Sequence, residues 1–106
     1  PMINNERATI GALYTIAAAE SIIRSETGSF VTLEDLLAQK KVERELLEGH
    51  GYKVYLTISG NHFEAVAVPI EYGKSGKMSY FVNETGVMRA GDHGGAPATV
   101  ADKPIQ

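Results

Sequence analysis

The segment from Met2 to about Glu26, MINNERATIGALYTIAAAESIIRSE, runs without a proline or a turn cluster and is broken by one glycine, Gly11. Rich in Ala, Ile and Glu, it predicts a single helix. At 1.5 Å per residue such a helix is roughly 36 Å long. A folded chain of this size has a radius of gyration of only about 13 Å. The helix must therefore cross the whole domain or project beyond it, and everything else has to be arranged along it. At 100° per residue, Ala8, Ala12, Ile16, Ala19 and Ile23 form one stripe, expected to pack on the rest of the domain. A second apolar set, Ile3, Ile10, Tyr14 and Ala17, lies on another side, with Glu6, Glu20 and Arg24 between the two. Either this second set is incidental surface or it needs a partner of its own.

Thr27-Gly28-Ser29 stops the helix, and Thr32 ahead of Glu34 and Asp35 reads as the N-cap of a short helix through about Gln39. Val42 to Glu48 is a second short helical piece ended by Gly49, and its charges form a solvated face. After Gly51 the period changes to two. Tyr52 to Ile58 alternates as a half-buried strand does, Ser59-Gly60-Asn61 is a turn, and Phe63 to Ile70 is the returning strand. Pro69 lacks a ladder donor and belongs at a strand end or an edge. Tyr72 to Lys77 is a polar loop, and Met78–Asn83 with Val87–Ala90 form a last hairpin around Asn83-Glu84-Thr85-Gly86.

This order predicts an α+β fold, a long N-terminal helix packed against a three- to four-stranded antiparallel β-sheet. The 106 residues make one domain: helix 2–26, short helices within 32–48, sheet 52–90 and a tail over 91–106.

Chemistry is sparse. The chain has no cysteine, which excludes disulfides, Cys-ligated zinc and cysteine nucleophiles. A net charge of -3 argues against nucleic acid or an anionic membrane surface as the main partner. No run of about 18 apolar residues spans a bilayer, and no signal peptide is visible. His50 and His62 lie in turns without partners at metal-ligand spacing. Asp92-His93-Gly94-Gly95 offers too few ligands for a metal, and calcium at Glu84 or Asp92 lacks a supporting Asp-x-Asp pattern. Gly73-Lys74-Ser75-Gly76-Lys77 sits between strands rather than before a helix, so it is a plain loop and not a phosphate loop. With no nucleophile–base pair readable, the expectation is a non-enzymatic protein with no cofactor, no metal and no catalytic residue.

Several strings, in order, resemble the globular part of bacterial type IV pilins and type II secretion pseudopilins. Asn5 to Ile16 resembles the amphipathic half of the pilin helix, and Gly28 to Leu36 the segment of glycine, aromatic and short helix after it. Gly51-Tyr52 and Ala65 to Pro69 resemble the first hairpin. Tyr80 to Arg89, YFVNETGVMR, resembles the terminal hairpin, and Asp102-Lys103-Pro104-Ile105 the chain ending of some members. The cysteine pair of many pilins is absent here, as is the apolar half-helix that precedes this region in the family.

The resemblance implies a structural subunit of a type IV pilus-like or pseudopilus filament, with possible roles in adhesion, motility, DNA uptake or protein secretion. Its partners would be other pilin-like subunits, identical or different. The subunit interface expected on the helix is Ile3, Glu6, Ile10, Leu13, Tyr14 and Ala17. The full-length form would be held at the cell surface or in the periplasm by a membrane anchor upstream of Pro1, where the chain reads as trimmed, and the fragment itself would be soluble. The alternative is a small soluble ligand- or ion-binding domain using the loops at Gly73–Lys77 and Gly91–Gly95.

Overall fold

Helix α1 spans Met2–Thr27 in a computed structural model of the chain, described for residues 1–105. It ends where the sequence says it should: Gly28 adopts φ 86°, and its N–H donates to the Arg24 carbonyl at 2.8 Å, closing the last turn. Its length of about 39 Å matches the 40 Å long axis of the domain, so α1 runs the full length of the fold. Two short helices follow, α2 (Leu33–Ala38) and α3 (Arg44–Leu47). The first is capped as expected, with the Thr32 hydroxyl accepting from the Asp35 N–H at 3.1 Å.

The remainder is an antiparallel sheet of five strands in sequential order: β1 (Tyr52–Ser59), β2 (His62–Pro69), β3 (Met78–Asn83), β4 (Arg89–Asp92) and β5 (Lys103–Pro104). The architecture is thus α+β, with two corrections to the strand count and boundaries. The tail supplies a fifth strand, and Val87 and Met88 belong to the β3–β4 loop rather than to a strand. The reason for the second is local. The Asn83 side chain accepts from the Thr85 N–H (3.1 Å) and hydroxyl (2.6 Å), and Gly86 takes φ 76°, which widens the turn. The Met88 carbonyl then accepts from the Ile105 N–H at 2.9 Å, tying it to the tail.

One sheet face carries Val54, Leu56 and Ile58 from β1, Phe63, Ala65 and Ala67 from β2, and Tyr80 and Val82 from β3, and it packs against α1. Helix α1 crosses β2 and β3, and Ala65 and Ala67 of β2 are fully buried in the core. Ile16, Leu13 and Ile23 of α1 and Leu36 of α2 complete the core, while the Phe30 ring stands edge-on to Phe63 at 5.0 Å. The opposite sheet face is covered only in part. The tail folds back over Ser79 and Phe81, both buried, with Ala98 buried above them and the Ser79 hydroxyl donating to the Ala96 carbonyl at 2.7 Å.

Candidate functional site: the solvent face of helix α1

The buried residues of α1, Thr9, Ala12, Leu13, Ile16, Ala19, Glu20 and Ile23, fall within about 120° of arc at 100° per residue. The opposite arc holds Ile3, Asn4, Arg7, Gly11, Tyr14, Ala18, Ser21, Ile22 and Ser25, all exposed. Ile3 is 57% exposed, Tyr14 43% and Ile22 56%. Arg7 is the one charged side chain among these nine. A helix face in water ordinarily carries its charges outward. This one presents large apolar groups separated by Gly, Ala and the uncharged Asn4, Ser21 and Ser25.

Of the residues expected at the interface, Ile3 and Tyr14 do lie on this outward face. Ile10 and Ala17 are half-buried and pack against the core. Leu13 is a correction: it is 0% exposed, at the centre of the contact with the sheet, and cannot meet a neighbour. Glu6 points to the fold instead of away from it. Its Oε2 accepts from the Lys77 N–H (3.1 Å), the Met78 N–H (3.2 Å) and the Tyr52 hydroxyl (3.4 Å), which fastens α1 to the start of β3. Burial, with the Glu6 charge as a second cause, pushes the nearby Tyr80 hydroxyl up to about 12. Sequence reasoning missed Gly11, Ala18 and Ile22. The same 100° arithmetic places all three on the arc that holds Ile3 and Tyr14, but the set Ile3, Ile10, Tyr14 and Ala17 is centred tens of degrees to one side of that arc and leaves its far flank out.

Beside this face runs an open groove of about 520 Å3. Ala17, Ala18 and Ser21 form one wall, Phe30 and Phe63 the floor, and the β3–β4 turn at Asn83–Gly86 the other wall. The turn is held by Glu84, whose Oε2 pairs with His62 Nδ1 at 2.6 Å and whose Oε1 accepts from the Phe63 N–H at 3.1 Å. Burial pushes the Glu84 carboxyl up. Hydrogen bonds from His62, its own N–H and the Phe63 N–H outweigh that and leave it below the usual range. His62 thus has a carboxylate partner that is distant in sequence. His50 meets only the Glu45 carbonyl, at 3.1 Å.

The two glycine-containing loops meet each other. The Tyr72 hydroxyl donates to Asp92 Oδ1 at 2.7 Å, and this bond, with one from the Gly94 N–H, draws the Asp92 carboxyl down. His93 turns from Asp92 to Asp102, with Nε2 at 2.8 and 2.9 Å from the two carboxylate oxygens. The Asp102 carboxyl is lowered first by the Thr99 N–H and then by His93. A Cβ at Gly91 would run into this pair, so the pair lies directly over the glycine. Glu84 and Asp92 sit at opposite ends of the β3–β4 hairpin and cannot share an ion. Among the described residues, no three His, Asp or Glu side chains gather to hold a metal.

Among the described residues no helix is long and apolar enough to cross a membrane. Comparison with protein-family models, with characterised proteins and with solved structures returned no match, so the outward face of α1 is read from its own geometry.

Proposed function

We propose that this domain is a structural subunit of a pilus-like or pseudopilus filament and assembles through α1. The observation that carries this reading is the outward face of α1, on which Ile3, Gly11, Tyr14, Ala18 and Ile22 are interrupted by one charge, Arg7. Packed helices approach to about 8–10 Å, with the distance set by the side chains at the crossing. Gly11 and Ala18 leave room for a neighbouring backbone, and Tyr14 and Ile22 supply the surface to bury. On the side away from this face, α1 is fastened to the fold by Glu6 near its start and by Glu20, whose Oε1 accepts from the Val31 N–H, further along. The resemblance of the Asn5–Ile16, Gly28–Leu36 and Tyr80–Arg89 strings supplies the kind of partner, other pilin-like subunits. On this reading the full-length protein is anchored at the cell surface or in the periplasm by an apolar segment ahead of Pro1.

The test is Gly11→Trp and Ala18→Trp in the full-length protein. A Cβ at Gly11 meets nothing within 4 Å and Ala18 is exposed, so the isolated domain should melt near the wild-type temperature while filaments are lost. Filaments at wild-type yield from both variants would refute the reading.

A ligand- or ion-binding domain is the second reading, favoured by the contact between the Tyr72 and Asp92 loops. A thermal-shift screen with calcium, other divalent ions and small metabolites tests it, and no stabilisation by any of them counts against it.

A further inference from the structure

The sheet has two edges, and the chain treats them differently. The outer strand β5 is two residues long and contains Pro104, which offers no N–H to a further strand. The other outer strand, β1, is eight residues long, in unbroken register with β2, without proline and with one charge, Lys53.

Hydrogen-bond parity decides which groups of β1 are left over. The Ile70 N–H donates to the Gly51 carbonyl at 2.9 Å, so Gly51 and Ile70 are a bonded pair. In an antiparallel ladder bonded and non-bonded pairs alternate. With the register Lys53↔Val68, Tyr55↔Val66 and Thr57↔Glu64, those three residues turn their N–H and C=O groups toward β2. Val54, Leu56 and Ile58 must turn theirs outward, and among the described residues no strand pairs with that edge. The same three residues point their side chains to the core, yet each is only half-buried, whereas Ala65 and Ala67 on β2 are fully buried. Helix α1 crosses β2 and β3, and the core is left open along β1.

We infer that the free edge of β1 pairs antiparallel with β1 of a second copy of this chain, joining the two sheets across a two-fold axis. Bonded partners must both come from the outward-turned set, and α3 packs at the N-terminal end of β1. The register that satisfies both centres on Leu56. Val54 then faces Ile58 of the second copy, Tyr55 faces Thr57 and Lys53 faces Ser59. Apolar pairs fall on the core side, an aromatic–β-branched pair falls on the outer side, and no like charges are opposed. The outer row of the β1–β2 hairpin carries Lys53 near one end and Glu64, opposite Thr57, near the other. An antiparallel two-fold arrangement brings the Lys53 end of each copy alongside the Glu64 end of its mate, which is the complementarity that selects a second copy as the occupant. The inference does not rest on the filament reading, since the β1 edge and the outward face of α1 are separate surfaces.

The experiment uses the full chain. Wild type, measured by light scattering over a wide concentration range, should move from 11.4 kDa toward twice that mass. Tyr55→Lys with Thr57→Lys, both at exposed positions, sets like charges across the seam and should remain monomeric without unfolding. Because the chain has no cysteine, register can be read by cross-linking. Tyr55→Cys with Thr57→Cys should oxidise to a disulfide-linked dimer, since a non-bonded antiparallel pair stands about 4.5 Å apart between Cα atoms. Tyr55→Cys alone, offset by two residues from its own copy, should link far more slowly. The inference is overturned by a wild type that stays monomeric at millimolar concentration, or by single and double cysteine variants that link equally. It is also overturned if the Val54, Leu56 and Ile58 amides gain exchange protection only when an unrelated extended peptide is added.

Discussion

Glu20 is the most unusual side chain in the fold. It is 0% exposed, its Oε1 accepts from the Val31 N–H at 2.8 Å, and its Oε2 has no partner. Burial, and secondarily the charge of Asp35, push its carboxyl above the ordinary 4.5, against the lowering effect of the Val31 hydrogen bond. The sign follows from proton binding. A carboxyl whose folded pKa is raised binds its proton more tightly in the folded chain, so its stabilising contribution is complete below pH 4.5 and is lost as pH rises toward the folded value. Within that window one proton is worth up to about 1.4 kcal/mol per pH unit, and above it the loss is complete and the curve is flat. Glu20→Gln keeps an oxygen for the Val31 N–H and cannot ionise. Its amide nitrogen has no acceptor, so the variant carries a constant offset of about 1–3 kcal/mol that does not depend on pH. Glu84, Asp92 and Asp102 are shifted down, contribute stability that disappears as pH falls, and do so equally in both proteins. Urea unfolding of wild type and Glu20→Gln from pH 4.5 upward should therefore give a difference that changes with pH, wild type losing stability relative to the variant. Parallel curves would show that the Glu20 carboxyl keeps its ordinary titration, and the burial argument would fall.

Gly76 lies against the Tyr52 ring, and a Cβ there would overlap its hydroxyl and edge. Gly76→Ala should cost about 1–3 kcal/mol as an overpacked site, read from the urea midpoint. Leu36 is fully buried and is the anchor of α2 on the core, so Leu36→Ala should lose about 2–5 kcal/mol. Native-state hydrogen exchange should place the earliest opening of that variant at the Gln39 and Lys41 amides, which bond to the Asp35 and Leu36 carbonyls.

The parts of the fold that can be read from the sequence are those whose cause is local. The α1 stop at Gly28, the Thr32 cap and the alternation of β1 and β2 each depend on residues within one turn or one strand, and all are present. What escapes is what distant residues impose. Ser79 and Phe81 alternate outward from the sheet, and nothing local to β3 says that the tail covers them, as it does through Ala96 and Ala98. His93 is adjacent to Asp92 in sequence but pairs with Asp102, because β4 and β5 bring that residue beside Gly91. On α1 the difficulty is different. Its residues are apolar or small on nearly every side, so periodicity leaves the orientation of the core face open by tens of degrees, enough to put Leu13 on the wrong side.

Glu6 carries the sharpest consequence of that ambiguity. An acid near the start of an assembling helix invites assignment to the subunit contact, and loss of filaments in a Glu6→Ala variant would look like support for it. The geometry gives another cause. Removing the carboxylate deprives the Lys77 and Met78 N–H groups and the Tyr52 hydroxyl of a shared acceptor, while Tyr52 retains its 2.6 Å bond to the Met78 carbonyl. Two backbone donors left to water or unpaired cost about 1–3 kcal/mol together in a partly buried site. The isolated domain of Glu6→Ala should therefore show a lowered urea midpoint, with faster exchange at the Lys77 and Met78 amides. Glu6→Gln, which keeps one acceptor oxygen, should recover most of that loss. A residue acting only at a subunit contact would leave the isolated domain untouched in both variants, and that result would return Glu6 to the interface. Assembly defects at Glu6 can be interpreted only beside the stability of the lone domain, whereas those at Gly11, where a Cβ meets nothing within 4 Å, and at the exposed Ala18 report on the contact itself.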